Sequence, residues 1–150
     1  MRTFTWPIAL LLLGLLFQTV AFAVLNTVVP LWMEQADAAV WETGMVGSFF
    51  FLGNLAGTLM AGWLIRRTGF NGSYRCACVL CAVSTLLLMA VSGVAAWSGL
   101  RFLTGASCAL VWVVVESALL RAGTLKTRGV LLASYMVVYY PVSYTHLRAH

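Results

Sequence analysis

Long apolar runs alternate with short polar stretches along this chain. The first run extends from Pro7 to Met33 without a charged residue. A membrane-spanning helix needs about 20 apolar residues, so this run is long enough to cross a bilayer. Pro7 suits a first helical turn, where its missing N–H costs nothing. A short loop carrying Glu34, Asp37 and Glu42 follows. Thr43–Ile65, Cys76–Ala96 and Leu100–Leu120 are further runs of spanning length. Another begins at Gly129 and breaks off at Tyr140. The pattern predicts helices over about 7–33, 43–65, 76–96 and 100–120, and an incomplete one over 129–140. Between them it predicts a basic turn at Arg66–Arg75, a tight connection at Trp97-Ser98-Gly99 and a basic loop at Arg121–Arg128.

A cleaved signal peptide is the competing reading of the N-terminus. Arg2, the apolar stretch and Ala21-Phe22-Ala23 mimic its charge, core and cleavage site. The apolar run continues past Ala23 to Met33, which favours an uncleaved first helix.

Composition turns the pattern into a class. Hydrophobic residues make up 62% of the chain and charged residues 9%. Soluble domains carry roughly 45–50% and about 25%, so a polar surface cannot be built from this sequence. Disorder is excluded as well, because disordered chains are poor in apolar residues. The fold class is all-α integral membrane, with the lipid bilayer as partner.

The net charge of +5 would suggest nucleic acid on a soluble protein. Here Arg2, Arg66, Arg67, Arg75, Arg121, Lys126 and Arg128 sit on alternate loops, and the opposite loops hold no base. Membrane topology accounts for that distribution and no nucleic-acid partner is expected. The positive-inside rule puts the N-terminus and both basic loops in the cytoplasm of a multi-pass protein.

The end of the chain departs from this pattern. A helix starting at Gly129 should need about 20 residues, yet Pro141 and a polar segment follow Tyr140. Val142–His150 looks like the translated end of a transposase-type sequencing adapter. Residues 141–150 are therefore expected not to be natural, and residues 1–140 to be the N-terminal part of a longer chain. His146 and His150, the only histidines, fall in that tail. Without them a Ser-His-Asp triad, a Cys-His pair and a His-based zinc site are unavailable, and no catalytic residue is expected.

Within the spans, Arg101 and Glu116 stand out. Arg at a helix centre costs about 2.5–3.5 kcal/mol on insertion scales, and such residues are usually kept for substrate or ion pathways. Arg101, Gly105, Cys108, Trp112 and Glu116 follow the spacing of one helical face. That face is expected to point at a cavity or the bundle interior. The bland alternative is that Arg101 and Glu116 snorkel to opposite interfaces. Asn26 and Asn54 are weaker candidates, since amides in spans commonly hydrogen-bond between helices. Gly53, Gly57 and Ala61 form a small-residue stripe that lets two backbones approach, and read as helix packing.

Cys76, Cys78 and Cys81 have only a superficial metal spacing. On a helix Cys76 and Cys78 point about 200° apart, so small apolar core residues are the better reading. No metal is expected. No Gly-Lys-Ser or Gly-Lys-Thr loop is present, which leaves ATP-driven transport unsupported and no cofactor expected.

The stretch Gly62-Trp63-Leu64-Ile65-Arg66-Arg67-Thr68-Gly69-Phe70 resembles the loop motif of the major facilitator superfamily. Gly62, Arg67 and Gly69 match it, while Arg66 stands where the family usually has an aspartate. Leu100-Arg101-Phe102-Leu103-Thr104-Gly105 resembles the family's fourth-helix motif. Ala23-Val24-Leu25-Asn26-Thr27, Gly53-Asn54-Leu55, Gly57-Thr58-Leu59 and Trp112-Val113-Val114-Val115-Glu116-Ser117 resemble the YcaD-like branch, inner-membrane transporters of bacteria.

The resemblance implies a twelve-helix parent in two six-helix halves, with substrate near the midplane. It implies a secondary active transporter of alternating access, proton-coupled, for an unidentified small solute. Arg101, Glu116, Trp112, Asn26 and Asn54 would then line the substrate or proton path. Gly62, Arg66, Arg67 and Gly69 would form the cytoplasmic gating loop. The alternative is a small membrane scaffold or assembly protein working through the Gly53-Gly57-Ala61 face. A membrane enzyme is the least supported, because it needs a nucleophile–base pair or metal cluster.

Overall fold

The computed structural model describes residues 6–122, together with Gly129 and Ala133. The expected tail at 141–150 and most of the incomplete run at 129–140 lie outside the described residues. Three helices account for almost all that is described: α1 (Trp6–Gln35), α2 (Val40–Ala90) and α3 (Val94–Ala122). No strand occurs among the described residues. All three helices are long and apolar enough to cross a membrane.

The helix count differs from the expected four and part of a fifth. The difference lies at the basic turn. Residues 66–75 do not form an extended loop: two helical segments meet there across a kink at which Gly69 alone leaves helical geometry, at φ 70° and ψ 175°. That conformation is open essentially to glycine alone. Hydroxyls bridge the break. Thr68 Oγ1 donates to the Leu64 carbonyl at 3.0 Å, and Ser73 Oγ donates to the Gly69 carbonyl at 2.8 Å. The two hydroxyls lie 2.9 Å apart. The two hydroxyls thus bond the backbone on either side of the kink, and a single residue suffices to interrupt α2.

The next connection also falls earlier than expected. Trp97, Ser98 and Gly99 are helical, and the turn occupies Val91–Gly93. Gly93 takes φ 113°, which side chains other than glycine's rarely allow. Trp97 closes the corner by donating its indole N–H to the Val91 carbonyl at 2.6 Å. Ser98 Oγ donates to the Val94 carbonyl inside the helix. Serine and glycine here belong to the second turn of α3 rather than to a loop.

The acidic loop is tied at both ends. The Ala38 N–H reaches back to the Met33 carbonyl at 3.0 Å, with Asp37 left-handed at φ 53°. This is a Schellman-type closure of α1, with a short polar side chain tolerating the left-handed position. Glu42 accepts from the Ala39 N–H at 2.8 Å, capping α2 from its first turn.

The chain divides into two compact units, Val29–Val114 and the pair of segments Met1–Val28 and Val115–His150. In Val29–Val114 the buried side chains include Met33, Val46, Phe50, Ala61, Ala77, Leu88 and Val111. In the other unit Leu12, Leu15, Thr19, Val115 and Leu119 are buried. Thr19 meets its hydroxyl requirement inside the helix, donating to the Leu15 carbonyl at 2.8 Å. Phe17, Val20 and Val24 are exposed on α1, as are Phe51, Leu55 and Leu59 on α2. Exposed apolar side chains in such numbers suit hydrocarbon surroundings rather than water.

Candidate functional site

The best-defined polar feature lies inside Val29–Val114, where α3 packs on α2. Backbone contact makes the packing possible. A Cβ placed on Gly53 would collide with the backbone of Phe102, and one on Gly57 with the backbone of Ala106. From the opposite side, a Cβ on Gly105 would collide with the Phe50 carbonyl. Gly53, Gly57 and Ala61 are all buried. The small-residue stripe on α2 is therefore met by a small residue on α3, and the two backbones touch along about two turns.

Close approach brings Arg101 over Phe50. Arg101 is 4% exposed and Phe50 is 1% exposed. The guanidinium carbon lies 4.7 Å from the centroid of the phenyl ring. Such a cation–π contact is worth about 2 kcal/mol when desolvated, a useful offset to the cost of a charge inside a span. Phe50 in turn stacks edge-on against Phe51, with centroids 5.5 Å apart.

One turn further along α3, hydroxyls join the helices. Thr104 Oγ1 lies 3.1 Å from Ser84 Oγ and 2.9 Å from the Leu100 carbonyl. Ser107 Oγ donates to the Thr104 carbonyl at 2.8 Å, and Ser84 Oγ to the Cys81 carbonyl at 3.1 Å. Ser84, Thr104 and Ser107 are all buried. Arg101 thus begins a polar file on α3 that continues through Thr104 and Ser107.

The expected face of α3 is enclosed only in part. Arg101, Gly105 and Cys108 are buried, Trp112 is half-buried and Glu116 is exposed. Of the expected path residues, Arg101, Trp112 and Asn54 belong to Val29–Val114, and a Cβ on Gly105 would come within 3.0 Å of the Asn54 backbone nitrogen. Asn26 and Glu116 belong to the other unit, and both are exposed. Pro30 follows Asn26 by four residues and has no N–H to donate to the Asn26 carbonyl.

The expected gating residues sit at the end of the first segment of α2. Gly62, Arg66, Arg67 and Gly69 are exposed. Arg67 stacks on Trp63, with its guanidinium carbon 4.5 Å from the ring centroid. Arg66 turns back over Gly62, where its Nη1 would lie 3.8 Å from an added Cβ. Gly69 supplies the break itself.

Phe50, Ser84, Thr104 and Ser107 are the residues that sequence reasoning missed. Ser84 and Thr104 are twenty positions apart, and no local spacing announces their pairing. Phe50 lies in the run Phe49-Phe50-Phe51, where periodicity does not single it out. Trp63 was missed as well, although its one-turn spacing from Arg67 is a signal that could have found the stack. Among the described residues no group of three or more His, Cys, Asp or Glu is placed to hold a metal ion. The four cysteines are free thiols, with Cys76 exposed and Cys108 buried.

Comparison with known proteins bears on what this arrangement serves. The chain is 54% identical over 140 residues to an uncharacterized MFS-type transporter of Yersinia pestis. It is 52% identical to one of Yersinia enterocolitica and 53% identical to the MFS-type transporter YcaD of Salmonella paratyphi B, each over 140 residues. Each match covers 93% of this chain and 37% of the relative. No protein-family model matches, and no solved structure does. The chain is thus homologous along nearly its whole length to MFS-type transporters, YcaD among them, and spans little more than a third of them.

Proposed function

We propose that this membrane chain is part of a secondary active transporter, proton-coupled and working by alternating access on a small solute. Its relatives carry the transporter name, and that favours transport over a scaffold role. The observation that carries the mechanism is Arg101, a buried cation held on Phe50 within a helix of spanning length. Buried charges in membrane helices are costly and mark substrate or ion pathways.

In this reading α2 crosses the bilayer twice. A straight 51-residue helix would be about 77 Å long, more than twice the hydrocarbon thickness of about 30 Å. The Gly69 break is the turning point, with Arg66, Arg67 and Arg75 on the cytoplasmic side of a bacterial inner membrane, the side to which the positive-inside rule also assigns the N-terminus. The segment then belongs to the first six-helix half, whose rocking against the second half would open the path alternately. Arg101 attracts the anionic part of the solute or a coupling carboxylate. Glu116 carries the proton, and Trp112, Asn54 and Asn26 are separate candidates for contact with the solute.

Reconstitution of the full-length protein in proteoliposomes tests the assignment. Glu116→Gln should abolish solute-driven proton movement while solute exchange without net proton flux persists. Arg101→Gln should abolish both. Unaltered flux and unaltered pH dependence in Glu116→Gln would remove Glu116 from the proton path.

A further inference from the structure

The end of the first α2 segment carries a second feature. Trp63 is 45% exposed, so its ring is not part of the packed interior. One face of it is taken by the Arg67 guanidinium. Arg66, next in sequence, folds back over Gly62. Gly62–Arg66 and Trp63–Arg67 are adjacent one-turn pairs, so two guanidinium groups lie on neighbouring faces of the helix, about 100° apart, each reaching toward its N-terminal turn. The first lies at ordinary contact distance from the Gly62 position, and the indole orients the second. Arg75, just beyond the break, is exposed as well.

No carboxylate occurs anywhere between Glu42 and Glu116. Beyond its first turn α2 thus supplies this cluster with no anion of its own. Exposed tryptophan belongs at the headgroup level of a bilayer, where an apolar ring meets polar surroundings. Arginine forks bind phosphate oxygens in pairs, and stacking on an indole fixes the plane of the fork.

We propose that Arg66 and Arg67, with Trp63 as their platform, form a binding site for the phosphate of an anionic phospholipid headgroup. The occupant is phosphatidylglycerol or another lipid with net negative charge. Its acyl chains run along the exposed Leu55 and Leu59 toward the bilayer centre. Only the membrane reading is needed for this site, and transport is not.

Native mass spectrometry of the full-length protein, stripped of lipid and then given phosphatidylglycerol or phosphatidylethanolamine, tests the site. The unsubstituted protein should retain phosphatidylglycerol about tenfold better than phosphatidylethanolamine, and Arg66→Gln with Arg67→Gln should lose about tenfold of that retention, from the usual contribution of basic residues at anionic surfaces. Should the double variant fail to accumulate, Arg67→Gln alone carries the test with a smaller loss in the same direction. Equal retention of phosphatidylglycerol by the unsubstituted protein and the variant would overturn the proposal. So would displacement of the lipid by inorganic phosphate at equal concentration, which would make the site one for the free anion.

Discussion

The guanidinium of Arg101 lies 4.7 Å above the ring of Phe50, both side chains being enclosed between α2 and α3. Two consequences follow from one contact. The ring lowers the cost of the charge, and the charge fixes where α3 sits along α2. Gly105, one turn beyond Arg101, lets the Phe50 carbonyl come close enough for the ring to reach under the arginine.

Replacing Phe50 should therefore act through charge as well as volume. Phe50→Leu should destabilise the full-length protein by about 2 kcal/mol, combining lost cation–π attraction with imperfect packing. Phe50→Tyr keeps the ring face and should cost less. Thermal unfolding in detergent, followed by intrinsic fluorescence, gives the order.

Glycines on α2 should divide sharply by position. Gly57→Ala meets the Ala106 backbone and Gly53→Ala the Phe102 backbone, so each should cost about 1–3 kcal/mol through forced separation of the helices. Gly44→Ala and Gly47→Ala meet nothing within 4 Å and should be neutral or stabilising by up to about 1 kcal/mol. Unfolding midpoints of the four variants check the contrast.

The break in α2 should depend on Gly69 and its hydroxyl bridge. Gly69→Ala forces a side chain onto φ 70° and should destabilise by about 1–3 kcal/mol. Ser73→Ala removes a 2.8 Å hydrogen bond to the Gly69 carbonyl and should cost about 1 kcal/mol. A double-mutant cycle between Thr68→Val and Ser73→Ala should show coupling, because the hydroxyls touch.

At the other corner, Trp97→Phe keeps most of the apolar ring and removes the indole N–H that meets the Val91 carbonyl. A loss of about 1 kcal/mol is expected, with hydrogen exchange fastest at the end of α2.

Much of this architecture was legible from the apolar runs, since lipid demands continuous hydrophobic helices. The first run and α1 agree within a few residues. Reading failed where polarity and backbone geometry part company. Arg66–Arg75 is polar enough for a loop, yet its backbone leaves helical geometry at Gly69 alone, because polar side chains do not by themselves unwind a helix. Trp97-Ser98-Gly99 has a turn-like composition, but Gly93 carries the positive φ and Trp97 supplies a cap. The single arginine in a span was conspicuous because its insertion cost is large. Its partner Phe50 was not, because an aromatic among apolar neighbours looks the same from sequence whether it packs on lipid, another ring or a cation.

Solute-dependent proton flux through the full-length protein decides whether Arg101 lies on a transport path. Proteoliposomes holding a pH-sensitive dye would be challenged with sugars, organic acids and amphipathic amines in turn. At least one class should drive a pH change that empty liposomes lack and that Arg101→Gln abolishes. Solute uptake that proceeds at the same rate and pH dependence in Arg101→Gln, or no uptake of any class by the folded protein, would contradict it.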